Sequence, residues 1–170
     1  MRSEIGKGVG KMFNIGDVAV YPAHGVGVIE AVESKVIGGQ EKTFYVMRIL
    51  ENNMTVLVPK DNAHKIGLRS VISKDEAQKV YSILKEKRPS LNHQTWNRRY
   101  REYMEKLKSG SIYEVAEVLR DLHLVSLQKP LSFGERKLFD TAHNLLVKEL
   151  SLAEGLKEEE VERKIQQALS

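Results

Sequence analysis

The hydrophobic period of this chain changes once, near residue 72, from about two to about 3.6. That switch limits the chain to a β-rich part followed by an α-rich part. Upstream, "DVAVY" (17–21), "GVGVIEAVE" (25–33), "KTFYVMRIL" (42–50) and "MTVLVP" (54–59) carry β-branched and aromatic residues at strand spacing. Turn formers separate them: Pro22 to Gly25, the Gly38-Gly39 pair, and Asn52-Asn53. Downstream, Ala77, Val80, Tyr81 and Leu84 mark one helical face within 75–87. Pro89 breaks that helix, and "PSLNHQT" reads as a polar connector. The next helix starts at Thr95 or Trp96 and stops at Ser109-Gly110. Ser111 with Glu114 and Ser132 with Glu135 have capping-box spacing and open two further helices. Gly155 ends the second of these, and Glu158, Glu159 and Glu160 suit the positive first turn of a last one.

Four short strands joined by tight turns predict a small, strongly bent antiparallel β-barrel of the SH3 or Tudor kind. Such a barrel has too little surface for an enclosed pocket, so binding by an edge strand or a loop is expected of it. The expected fold class is α+β with the two kinds of structure in separate domains. Residues 1–11, Gly-rich and without periodicity, form a flexible extension; 12–70 form the barrel, and 71–170 a compact all-α domain of about five helices. "GKGVGK" lacks the closing Lys-Ser/Thr of a phosphate loop; a purine-rich coding stretch would produce it, so Met12 is the expected natural start.

Charge narrows the function. Residues 12–72 carry six basic and six acidic side chains, whereas Lys85, Lys87, Arg88, Arg98, Arg99 and Arg101 face one acid, Glu86, across 85–101. A positive field concentrated in one stretch is what a localised phosphate footprint produces, and also what a solvated basic linker produces. The chain has no cysteine, which removes disulfides, thiol nucleophiles and Cys-based zinc sites. No apolar run approaches the roughly 20 residues that cross a bilayer, and a cytoplasmic protein is expected. The five histidines, His24, His64, His93, His123 and His143, have no metal-ligand spacing and no convergent partners. No catalytic constellation, cofactor site or metal site is therefore expected, and the chain reads as a binding protein, not an enzyme.

The sole tryptophan, Trp96, sits at the head of the basic helix "WNRRYREYMEKLKSG". Trp96, Tyr100, Tyr103 and Leu107 fall on one helical face, so Trp96 reads either as core or as a contact residue at the helix tip. A helix N-terminus favours phosphate, and apolar side chains can wedge into a distorted minor groove while basic neighbours hold the backbone.

With these elements placed, the sequence resembles the CarD family of bacterial transcription factors from residue 12 to about 168. The residues that carry the likeness are "GDVAVYPAHGVGVIEAVE", "LVP" (57–59), "WNRRYREYMEKLKSG", "AEVLRDL" (116–122), "LSFGERK" (131–137) and "LLVKELSLAE" (145–154). The resemblance implies a Tudor-like domain that docks on the β subunit of RNA polymerase, carrying the primary sigma factor, and a helical domain that touches promoter DNA. It implies that Trp96 wedges into the minor groove at the upstream edge of the melted bubble. Arg98, Arg99 and Arg101, with a second cluster of Arg136 and Lys137, would reach the DNA backbone. Leu57, Val58 and Pro59 would form a mainly apolar polymerase contact, with Lys35 as a further candidate. Some family members have arginine where Leu57 stands, so an ion pair there does not carry over. The chain lacks the long basic tail of the larger family member, and the compact type is expected to act with polymerase as a monomer, binding DNA weakly and without sequence choice. Two other readings remain open at this level: an RNA-binding factor of KOW or Tudor type stacking bases on Phe44 or Tyr45, and an adaptor that uses only the barrel edge and keeps Trp96 as core.

Overall fold

The computed structural model describes residues 12–87 and 95–170. The expectations for residues 1–11 and for the connector around Pro89 and His93 lie outside the described residues. The chain divides between Val71 and Ile72 into two compact units.

The first unit is a five-stranded antiparallel sheet in the order β4-β3-β2-β1-β5. Its strands are β1 (Val18–Tyr21), β2 (Gly25–Ile37), β3 (Gln40–Ile49), β4 (Thr55–Pro59) and β5 (Arg69–Ser70), with a 3-10 turn at Lys60–Asn62. Gly38 and Gly39, at φ 61° and 79°, join Ile37 to Gln40 in the left-handed two-residue turn that matches strand twist. A bulge between Ile29 and Ala31 resets the alternation along β2. Before it, Ile29 opposes Met47 in the core; after it, Ala31 opposes Val46 on the outer face. Phe13, Ala19, Ile29, Tyr45, Met47, Ile49, Val58, Ala63 and Leu68 form the core. The Tyr45 hydroxyl accepts from the Phe13 amide at 3.1 Å, and the two rings meet edge to face. The sequence predicts four strands; β5, two residues pairing with Ala19 and Val20, is too short to leave a periodic signal.

Gly27 faces this core with no room to spare. A Cβ there would lie 2.7 Å from the Met47 methyl and 2.8 Å from the Arg48 carbonyl oxygen, and the latter belongs to the paired backbone. Gly27→Ala is expected to destabilise the sheet unit by about 1–3 kcal/mol through overpacking. Urea unfolding followed by far-UV circular dichroism would show it, and an unchanged midpoint would contradict this packing.

The second unit holds five helices: α1 (Lys74–Lys85), α2 (Trp96–Lys108), α3 (Ile112–Ser126), α4 (Phe133–Glu154) and α5 (Glu158–Leu169). Four start where side-chain oxygens meet free N–H groups: Ser73, Thr95, Ser111 and Ser132 accept from Glu76, Arg98, Glu114 and Glu135 respectively. At Ser73 and Ser132 the glutamate returns a bond to the cap residue's own amide, completing the capping box. Ser111 makes only the forward bond. Gly155, at φ 69°, ends α4 as expected from its position. The core runs along α3, whose Ile112, Val115, Ala116, Val118, Leu119 and Leu122 are buried against α1, α2 and α4. α3 also buries Arg120 and Asp121, bonded to each other at 3.0 Å, while Arg120 reaches Glu86 at 2.7 Å.

Candidate functional site

Thr95 fixes the first residue of α2 as Trp96 by accepting from the Arg98 amide. The indole is half-buried, its outer ring edge packed against the start of α4. A Cβ on Gly134 would stand 3.2 Å from Trp96 Cζ2 and 4.0 Å from Cη2, so the backbone of α4 comes as close as a glycine permits. Tyr100, one turn on, meets the indole edge to face with ring centres 5.5 Å apart. Tyr103 and Leu107 complete the face and are buried. Trp96 therefore rests on the core and keeps part of its surface exposed.

This contact sets the starts of α2 and α4 side by side, and each of the two helices carries a basic cluster. Arg136 and Lys137, exposed in the first turns of α4, follow directly after Gly134 and Glu135. Arg98 and Arg101 are exposed on α2. Two helix N-termini, each with positive dipole character, meet at the same place. Phe133, the first residue of α4, is 87% exposed and stands next to Gly134. No pattern in the sequence singles it out, because only the fold shows that α4 begins beside Trp96.

The three arginines of α2 are not equivalent. The Arg98 side chain is 70% exposed and pairs with Glu102 at 3.4 Å. The Arg99 side chain is 18% exposed; its Nη2 lies 3.9 Å from Glu135 Oε2, and its guanidinium carbon sits 5.4 Å from the Trp96 ring centre. Its Nε and the neighbouring Tyr103 hydroxyl are buried and make no hydrogen bond of standard geometry among the described residues. Burial pushes the Tyr103 hydroxyl up to about 12, the Asp121 carboxylate adds to the shift, and the Arg99 charge opposes it. Of the three, Arg99 is the one turned inward, toward the buried Glu135 carboxylate of α4. The local charge excess also weakens in space. Arg98, Arg101 and Lys106 line an open cleft with Glu102, Glu105, Glu114 and Glu117, and the last two come from α3.

In the sheet unit, the register sorts the other candidates by face. Directly paired residues share a face, so Leu57 lies beside Val46, Pro59 beside Phe44, and Lys35 beside Lys42. Leu57 is 46% exposed, and with Pro59, Phe44, Val46 and Ala31 it makes an apolar strip on the outer face, bordered by Glu33 beside Phe44 and by Lys35 and Lys42 at one end. Val58 points the other way. It pairs with Tyr45 and is fully buried, so its side chain is core and only its backbone belongs to the sheet edge. Phe44 and Val46 join the sequence-based candidates here, and their alternation with Tyr45 and Met47 carries the signal. Tyr45 faces inward at 1% exposure, which removes it from any base-stacking surface.

Among the described residues no cluster of three His, Asp or Glu side chains could hold a metal, and no helix is long and apolar enough to cross a membrane.

A segregated β unit with an open edge strand and an α unit with a Trp at a basic helix start describe a two-part binding protein. The family comparisons agree with this division: residues 13–72 match the CarD-like/TRCF RID domain and residues 79–166 the CarD C-terminal domain. The chain belongs to the CarD family of transcription factors, which interact with RNA polymerase, and it is of the compact type. It is 35% identical over 150 residues to the candidate transcription factor YdeB of Bacillus subtilis (strain 168), covering 88% of this chain and 97% of that protein. The solved structure of CdnLNt from Myxococcus xanthus is 40% identical and covers 41% of this chain and 97% of its own, with a TM-score of 0.33; the likeness there is one of sequence.

Proposed function

We propose that the protein docks on the β subunit of RNA polymerase holoenzyme through the outer face and edge of β4 and stabilises the open promoter complex by placing Trp96 at the upstream edge of the bubble. The observation that carries this reading is the packing of Trp96 on Gly134. It sets the starts of α2 and α4 side by side, and the exposed Arg98 and Arg101 of one helix and Phe133, Arg136 and Lys137 of the other lie within their first two turns. In this reading the indole inserts where the minor groove is distorted, and the exposed cations hold phosphates on either side.

Such a patch alone binds DNA weakly and without sequence choice, at dissociation constants of about 10⁻⁴–10⁻⁶ M. Docking on polymerase raises the local DNA concentration, so weak contacts suffice. A group that fits only the melted junction shifts the closed-to-open equilibrium by its differential affinity, and about 1.4 kcal/mol changes it tenfold. In the sheet unit Leu57 and Pro59 supply apolar contact on the strand at the sheet edge.

Leu57→Glu tests the docking face, since Leu57 is exposed and plays no part in the core. Binding to the isolated β subunit is expected to weaken at least tenfold, with the urea midpoint of the helical unit unchanged. Wild-type affinity of this variant, and of Pro59→Ala, would place the polymerase contact elsewhere.

A further inference from the structure

We propose that Arg99 is a positioning residue for Trp96, not a phosphate contact, and that Glu135 holds it in that role. This rests on the reading of Trp96 as the residue that meets DNA.

Four residues close a loop across the α2–α4 contact. Trp96 abuts Gly134; Gly134 precedes Glu135; Glu135 Oε2 faces Arg99 Nη2 at 3.9 Å; and the Arg99 guanidinium lies over the indole with its carbon 5.4 Å from the ring centre. The two oxygens of Glu135 have separate tasks. Oε1 accepts the Ser132 amide at 2.8 Å and caps α4, while Oε2 faces Arg99. The carboxylate that sets where α4 begins therefore also sets where the guanidinium lies, and both bear on the same ring. Turning Arg99 out to a phosphate would strip the cation from a carboxylate that is only 5% exposed, a costly exchange. Arg98 has no such tie: its side chain pairs with Glu102 on a solvated face of its own helix. A cation over an indole face is an attractive arrangement, and the planar fork of arginine suits it better than lysine.

A ring whose edge abuts Gly134 and whose face lies under a guanidinium loses little freedom on insertion, which is how preorganisation increases affinity. The two arginines should then differ in kind. Arg98 releases counterions on binding, worth a salt slope of about 0.9 per phosphate, and Arg99 releases none.

Because Trp96 is the only tryptophan, its fluorescence reports this loop directly in the full-length free protein. Arg99→Gln removes the stacked charge, and Glu135→Gln keeps a capping side chain while removing its partner. Both are expected to speed the local anisotropy decay of the indole and shift its emission; Arg98→Gln is expected to change neither, and Arg99→Lys to restore the decay in part. On polymerase, Arg99→Gln should shorten the open-complex lifetime with the wild-type salt slope, and should have no effect in a Trp96→Ala background. Unchanged indole motion in both variants overturns the proposal. So does an Arg99→Gln loss that persists in the Trp96→Ala background with a lower salt slope. A mobile indole in Arg99→Gln together with a silent Trp96→Ala would uphold the contact and refute the DNA role of Trp96, so the two claims fail separately.

Discussion

Trp96→Ala is expected to shorten the life of the open promoter complex about tenfold, within the roughly 1–3 kcal/mol that alanine substitution of a base-stacking aromatic costs. Polymerase binding should not change, because the residue lies in the helical unit and Leu57 and Pro59 in the other. The helical unit should survive the change. Trp96 is half-buried at the edge of its core, whereas Tyr103 and Leu107 on the same face are buried and anchor α2. The stability cost is thus that of a partial burial, about 1–2 kcal/mol. A kinetic loss with a nearly normal unfolding midpoint separates a contact residue from a core anchor. A collapse of both would assign Trp96 to the core and favour the adaptor reading.

Arg120→Met should produce the largest stability loss, about 3–5 kcal/mol, because it takes the cation from a buried pair. Asp121 is fully buried in α3, and Arg120 bonds to it through both Nε and an Nη while reaching Glu86 at the C-terminal cap of α1. One guanidinium therefore neutralises an interior carboxylate and ties two helices together. The exposed pair Arg98–Glu102 offers the contrast, a solvated contact worth roughly 0.2–1 kcal/mol. Urea unfolding by circular dichroism measures the loss. The double change Arg120→Met with Asp121→Asn should cost less than the sum of the single changes, because each single change removes the same Arg120–Asp121 interaction. Strict additivity would mean that the two side chains do not share an energy.

The parts of this structure that depend on neighbours in sequence are legible in the sequence itself. Ser132 with Glu135, Gly155, and the three glutamates at the head of α5 are local signals, and the helices begin and end at them. The Gly38-Gly39 hairpin is likewise local chemistry. What stays hidden depends on partners distant in the chain. The place of Trp96 is set by Gly134, and the inward turn of Arg99 is set by Glu135. Glu114 and Glu117 share a cleft with Arg98, Arg101 and Lys106 only because α3 packs beside α2. Val58 is a different case. The alternation of β4 allows either parity, and only the register that pairs it with Tyr45 turns it inward. The bulge in β2 hides the outer strip in the same way, by shifting which residues share a face after Ile29.

In the proposed division of labour the sheet unit brings the protein to polymerase, and Trp96 acts on the DNA once there. The most direct test is the open-complex lifetime measured against protein concentration for the wild type, Leu57→Glu and Trp96→Ala. At saturation Leu57→Glu is predicted to regain the wild-type lifetime, since only its docking is weakened, while Trp96→Ala stays about tenfold short at every concentration. A Trp96→Ala curve that climbs to the wild-type plateau would contradict the account.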